Sequence, residues 1–374
     1  MCVSVPKRSC VLSRAPHWRH EGVQGSGFDR GGAQRYEGAL PSLVLQGWAG
    51  GCRGRRSVGQ NSRDTANQQD GNNAAFEKAF PGVTANMVVD YSKFHDARID
   101  NQLTTGTLVP DVVQLQTLQD FPRWKREGVL LPYKPAGFSR VHPAFKDPGG
   151  AWTGIFVDAF STVCNVDQAG SAAPASARDL LDPRGKGKIV STYPNDDDAV
   201  LYLHKAIVDR HGWDWLRRSV AQDVAWVRGT QEPADRDESG AATVALGTDG
   251  MLTPAAGVKT RFVVPRHDPF MAWAQRAAIF RQAKHPAAAK LYLNWWLSEQ
   301  TKSDFYMWSV RTDVAPHAGF RPIWEYPNAH VDGFVRFISD RAVVERFRQQ
   351  LTLYVGEVTG APSPGWLGLH PGRA

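Results

Sequence analysis

An α/β fold in two lobes is what this chain predicts, and two observations carry the prediction. At 374 residues it exceeds the length at which a single hydrophobic core usually stops growing. From Asn73 onward, apolar strand patterns alternate with helical patterns of about ten residues, which indicates a parallel sheet rather than a sandwich. Hydrophobic residues at 42% supply enough apolar surface for packed cores. No internal repeat or low-complexity tract interrupts the body.

The elements follow in order. Residues 74–80 make one short amphipathic helix, stopped by Pro81-Gly82, and 85–90 a strand. Residues 93–102 place Phe94, Ala97, Ile99 and Leu103 near helical spacing before Gly106. A strand at 111–115, a helix at 120–127 and a short apolar run at 128–132 complete that unit. Residues 152–163 are long, β-branched and aromatic. Then come a strand at 188–191, a helix at 199–208, the stretch 228–238, strands at 242–246 and 260–265, and helices at 285–297 and 341–353. At Trp295-Trp296 one ring is expected to face the core and the other its edge.

Charge separates the first sixty-odd residues from the rest. The formal net charge is +7, and all of it lies in residues 1–63, where ten basic side chains meet three acids. The neutral body offers no electrostatic footprint for a nucleic acid. Cys2, Cys10 and Cys52 fall in the same basic segment, leaving Cys164 as a small buried hydrophobe. The segment's apolar cluster at 40–49 is broken by Pro41, Ser42 and Gln46 and makes no convincing signal peptide. Residues 1–63 are therefore expected to be disordered. No run of about 18 apolar residues occurs, so no membrane-spanning helix is expected.

Three segments carry a family resemblance. They are Arg178-Asp-Leu-Leu-Asp-Pro-Arg-Gly-Lys-Gly-Lys-Ile189, His285-Pro-Ala-Ala-Ala-Lys-Leu-Tyr-Leu-Asn-Trp-Trp-Leu-Ser-Glu-Gln300 and Ser309-Val-Arg-Thr-Asp-Val314. In order and spacing the chain resembles the periplasmic solute-binding proteins of ABC importers, in the ferric-iron-type group, over roughly residues 64–366. The resemblance implies a two-lobed periplasmic-binding-protein type II fold with two hinge crossings. Lobe 1 would comprise 64–158 and 264–374, including the C-terminal helices, and lobe 2 would comprise 159–263. It implies a periplasmic or extracellular location and a membrane permease as partner. It also implies an apolar strand just before Asp64. Residues 55–62 are too polar for one, so the first lobe is expected to lack a central strand.

In open α/β sheets, ligands bind beyond the carboxyl ends of strands, where helix N-termini offer unpaired N–H groups. Asp64 and Thr65, Gln116 and Thr117, the turn Tyr193-Pro194-Asn195-Asp196-Asp197-Asp198, and His267 with Asp268 stand at such places. Thr230, Gln231 and Glu232 join them by analogy with the family's second-lobe ligand loop. Capping and the helix dipole account for one acid near 197. Three acids would cancel the positive helix end and suit a cationic or amine-bearing solute. Iron binding in the family uses adjacent tyrosines, and this chain has no Tyr-Tyr pair, only Tyr193 and Tyr202. Trp152, Phe270 and Trp273 are either core or an aromatic wall, and Arg311 either borders the cleft or pairs with Asp313.

No nucleophile elbow, zinc helix or phosphate loop occurs. Arg184-Gly-Lys-Gly-Lys188 precedes a strand, whereas a phosphate loop must follow one. His204 and His211 stand seven apart, with Gly212 ending their helix, and no metal or cofactor is expected. The sequence therefore predicts a monomeric solute-binding protein, not an enzyme, that closes around a small polar solute. Alternatives are a ferric-iron-binding relative, an orphan relative that has lost transport, or a transferase-like enzyme using the same cleft.

Overall fold

The computed structural model describes residues 42–47, 69–170 and 173–361. The first described element is β1 (Ser42–Gly47). It is followed by α1 (Asp70–Ala79), β2 (Thr84–Val89), α2 (Ser92–Thr105), β3 (Val112–Leu115), α3 (Asp120–Arg126) and β4 (Leu130–Leu131). Next come β5 (Thr153–Asn165), α4 (Val166–Ala169), β6 (Ile189–Thr192), α5 (Asp198–His211), α6 (Trp213–Val220) and β7 (Ala225–Val227). The chain continues through α7 (Gln231–Ser239), β8 (Val244–Thr248), β9 (Thr260–Val263) and β10 (Met271–Phe280). It ends with α8 (Pro286–Trp296), α9 (Glu299–Ser303), α10 (Gly333–Ser339) and α11 (Arg341–Val355).

The strands join in the order β2-β1-β3-β10-β5-β8-β6-β7, with β4 on β10 and β9 on β5. This corrects the expected loss of a central strand. β1 lies between β2 and β3, parallel to both, with Ser42 beside Thr84 and Leu45 beside Val112. The strand comes from Ser42-Leu-Val-Leu-Gln-Gly47 and not from 55–62, so part of the segment expected to be disordered is sheet. A short Leu/Val run suits a strand with parallel neighbours on both sides. The rest of residues 1–63, together with Asp64 and Thr65, lies outside the described residues.

β5 is the shared spine. Thr153 to Phe160 pair antiparallel with β10, and Ser161 to Asn165 pair with β8 and β9. All thirteen residues of β5 and all ten of β10 are buried. Two half-sheets therefore meet on one strand, with register shifts at Ser161/Thr162 and Gln275/Arg276. β9 still belongs to the second half, so the return to the first runs between Val263 and Met271.

The C-terminal helices correct a second expectation. Phe334, Phe337, Ile338, Val344, Phe347 and Leu351 share a buried cluster with Leu201, Ile207, Trp215 and Leu216. They pack chiefly on α5 and α6 of the second half, with Phe334 also meeting Trp273 of β10 at 5.8 Å. The reason is the apolar stripe Val344, Phe347, Leu351 along α11, which shares a buried cluster with Leu201, Ile207 and Val208 of α5. Ring pairing of Trp213 with Phe347 at 5.4 Å adds to it.

His204 sits inside this second-lobe core, 1% exposed, with its Nδ1 3.0 Å from the Val200 carbonyl. Burial pushes its pKa down to about 4. Unfolded histidine titrates near 6.5, so the folded state binds fewer protons between those values. The stability contributed by the neutral ring is complete above about pH 6.5 and is lost as pH falls through 4. A shift of this size corresponds to about 3 kcal/mol. Urea unfolding at pH 7 and pH 4.5 should show this loss, and His204→Gln should flatten it. An equal acid response in the variant would remove His204 as the cause.

Candidate functional site

The turn before α5 is where the lobes touch. Asp197 caps α5: its Oδ1 accepts the amides of Ala199 at 2.8 Å and Val200 at 3.0 Å. Its Oδ2 accepts from Gln116 Nε2 at 2.7 Å, and Gln116 lies just past β3 in the first lobe. Burial pushes the Asp197 carboxyl up, against the bonds from Val200 and Gln116. Gly247 sets how closely α5 approaches β8. Its φ is +65°, and a Cβ there would stand 2.7 Å from Val200 Cγ1, so a side chain would displace the capped turn.

Asp196 makes the second bridge. Arg228 of the second lobe donates Nε at 2.7 Å, and Lys93 of α2 in the first lobe donates to the same carboxylate. Lys93 also reaches the Asp196 carbonyl at 2.9 Å. Burial works to raise the Asp196 carboxyl, but Arg228 and Lys93 outweigh it and hold it below the usual range. Asp198 pairs with Arg341 at 2.7 Å and with Arg348. Two of the three acids in this run are thus neutralised by the protein's own cations, which the sequence reading did not foresee.

A buried acid with no cation beside it lies elsewhere, on a residue the sequence reading missed. Asp158 projects from the spine strand β5 and is 1% exposed. Its Oδ1 accepts the Ala159 amide at 3.0 Å, while its Oδ2 has no hydrogen-bond partner. Burial, and then the neighbouring carboxylates of Asp249 and Asp197, hold it well above the usual carboxylate range. Asp249, just past β8, accepts from Tyr306 Oη at 2.8 Å. Gln275 on β10 accepts from Trp273 Nε1 at 3.0 Å, and Trp273 is the register partner of Asp158. The Nε2 of Gln275 and the Oε1 of Gln116 are also buried without partners. A lone acid in a β-branched run reads locally as a strand residue; only the β5–β10 pairing reveals its company.

The other expected residues disperse. Asn195 turns to α11, donating to Thr352 Oγ1 at 3.1 Å and the Gly356 carbonyl at 2.9 Å. Tyr193 stacks on Trp226 and meets Thr359 Oγ1 at 3.1 Å, while Tyr202 packs on Phe334 and Phe337. The two tyrosines do not converge. Thr117 is buried at the end of β3, beside Gln116. Thr230 is buried, its carbonyl accepting from Thr248 Oγ1 at 2.6 Å. Gln231 and Glu232 bond Asp235 and Arg236 of their own helix. His267 is exposed. Asp268 clips the Ala177 amide at 2.6 Å and lies 2.9 Å from His211 Nε2, so it joins lobe elements and not the Asp158 group. Arg311 forks onto Asp313 at 2.8 and 2.7 Å. Trp152 carries Arg276 over its ring at 3.8 Å, and Phe270 and Trp273 are fully buried. Among the described residues, no group of three or more His, Cys, Asp or Glu is placed to hold a metal.

Residues 109–309, more than half of the chain, match the family model described as bacterial extracellular solute-binding protein. No curated protein sequence matches the chain. Among solved structures, it is similar to the substrate-binding protein of an ABC transporter from Agrobacterium tumefaciens. That pair has a TM-score of 0.65 at 13% identity, covering 86% of this chain and 96% of that one. It is also similar to iron-bound HitA from Pseudomonas aeruginosa, with a TM-score of 0.59 at 16% identity, covering 83% and 99%. AfuA from Actinobacillus pleuropneumoniae, with fructose-6-phosphate bound, gives 0.57 at 16% identity, covering 84% and 98%. These likenesses establish a two-lobed binding-protein fold, and with the family match they place this chain among the bacterial extracellular solute-binding proteins.

Proposed function

We propose that this protein, the solute-binding component of an ABC importer, captures a small polar solute bearing a positive charge in the cleft between its lobes. The observation that carries the reading is the buried carboxylate group of Asp158, Asp197 and Asp249, assembled from the spine strand and the second lobe against Gln116 of the first. Burial disfavours charge on these carboxyls, and a cation entering there favours their charged form, whereas an anion opposes it. The Gln116–Asp197 and Lys93–Asp196–Arg228 bridges support closure as the capturing step, because a solute touching both sides stabilises the closed state by its differential affinity. Among the described residues of this cleft, none resembles an activated nucleophile, and the reading is binding without turnover. The protein is proposed to work as a monomer with a membrane permease, outside the cytoplasm, and to bind no nucleic acid. Among the described residues, no helix is long and apolar enough to cross a membrane.

Two relatives of this fold have been seen with iron and with a sugar phosphate, so the test sets cations against both. Thermal shift should rise by several degrees with saturating diamines or amino acids and stay flat with ferric citrate or fructose 6-phosphate, since a ligand stabilises by mass action. Small-angle scattering should report compaction with the same solutes. Stabilisation by the phosphate or the iron complex alone would overturn the cationic reading.

A further inference from the structure

We infer that the cleft contains a subsite for a primary ammonium group, in which the solute's N–H donors are accepted by Asp158 Oδ2 and Gln116 Oε1. This rests on the cationic reading above and narrows it from positive charge in general to an amine that retains its hydrogens.

Two buried acceptors stand open on either side of β10. Asp158 Oδ2 and Gln116 Oε1 both lack partners, on residues 1% and 5% exposed. Gln116 and Asp158 flank β10 on its two sides, two residues apart in register. Arg276 of β10 pairs with Leu115 of β3, so Gln275 lies level with Gln116. Trp273, two residues along, pairs with Asp158. Asp197 links the group, bonded to Gln116 at 2.7 Å and close enough to Asp158 to act on its charge. An open buried acceptor is costly and asks for a donor. An ammonium carries three donors and no acceptor, together with the charge that a carboxyl beside Asp249 and Asp197 lacks. Gln275 Nε2, the open donor beside them, suits an oxygen of the same solute.

A quaternary ammonium has no N–H and is recognised by aromatic faces. Among the described residues around Asp158, no such cage is on offer. Trp273 is fully buried, edge-on to Phe160 at 5.0 Å and against Phe334 at 5.8 Å, and its Nε1 is spent on Gln275. Tyr306 presents its hydroxyl, not its face, to Asp249. Polar acceptors without aromatic walls therefore select the protonated primary amine over its methylated counterpart.

The experiment is calorimetric titration of the full chain with matched pairs: ethanolamine and choline, glycine and glycine betaine, putrescine and its hexamethyl derivative. The expected result is at least tenfold tighter binding of the primary member in whichever pair binds. Asp158→Asn should cost that amine at least tenfold while far-ultraviolet dichroism and the melting temperature without solute are retained. Gln116→Leu, which keeps the Asp197 cap, should weaken it in the same direction. Preference for the methylated member, or full affinity in both variants, overturns this subsite and leaves the cationic reading standing. Binding of none of the six, with fructose 6-phosphate or ferric citrate captured instead, overturns both.

Discussion

Replacing Trp296 with alanine will lower the unfolding free energy by about 4 kcal/mol, the loss typical of a fully buried large aromatic. The ring is 0% exposed and stands within 5.1 Å of Phe156, 5.0 Å of Trp295 and 6.1 Å of Phe305. It also carries Lys302 Nζ 4.7 Å above its face, and Lys302 is itself 2% exposed while donating to the Ile155 carbonyl. Truncation thus opens a cavity and strips a buried cation of one of its supports. Trp295, half-buried beside Phe76 at 5.6 Å, should cost about 2 kcal/mol when truncated. Denaturant unfolding of the two variants measures the difference. Equal losses would contradict the assignment of one ring to the core and the other to its rim.

Asp197→Ala is expected to have the largest effect on capture. The carboxylate does two jobs at once, capping α5 through Ala199 and Val200 and reaching across the cleft to Gln116. Loss of the cap should cost about 1 kcal/mol of stability. Loss of the charged bond that exists only when the lobes meet should weaken solute capture by about 1–3 kcal/mol. The two effects are separable by measuring unfolding without solute and affinity by calorimetry. A variant that loses stability but keeps its affinity would reduce Asp197 to a helix cap.

Much of the architecture is legible in the chain because apolar runs are punctuated. Residues 74–132 read correctly, since Pro81-Gly82 and Gly106 end helices where the structure ends them, and Pro286 starts α8. β1 is hidden by composition: six strand-forming residues sit in a basic segment next to Pro41, and nothing local announces their neighbours. β10 was visible only as scattered aromatics, because a strand buried on both faces has no alternation to read. The position of α11 depends on which surface its stripe meets, which is a tertiary fact. The same holds for the cleft. Gln116 and Asp197 are found by the rule that ligands sit past strand ends, whereas Asp158 lies in mid-strand and gains meaning only from Asp249, Asp197 and Gln275.

The place of β1 has a practical bearing. A recombinant form starting at residue 64 would leave β2 and β3 separated by an empty slot about 10 Å wide, each presenting a bare row of amides and carbonyls to the other. Such a slot is a template for an extended segment donated by another molecule. The choice of first codon therefore decides whether purified material self-associates.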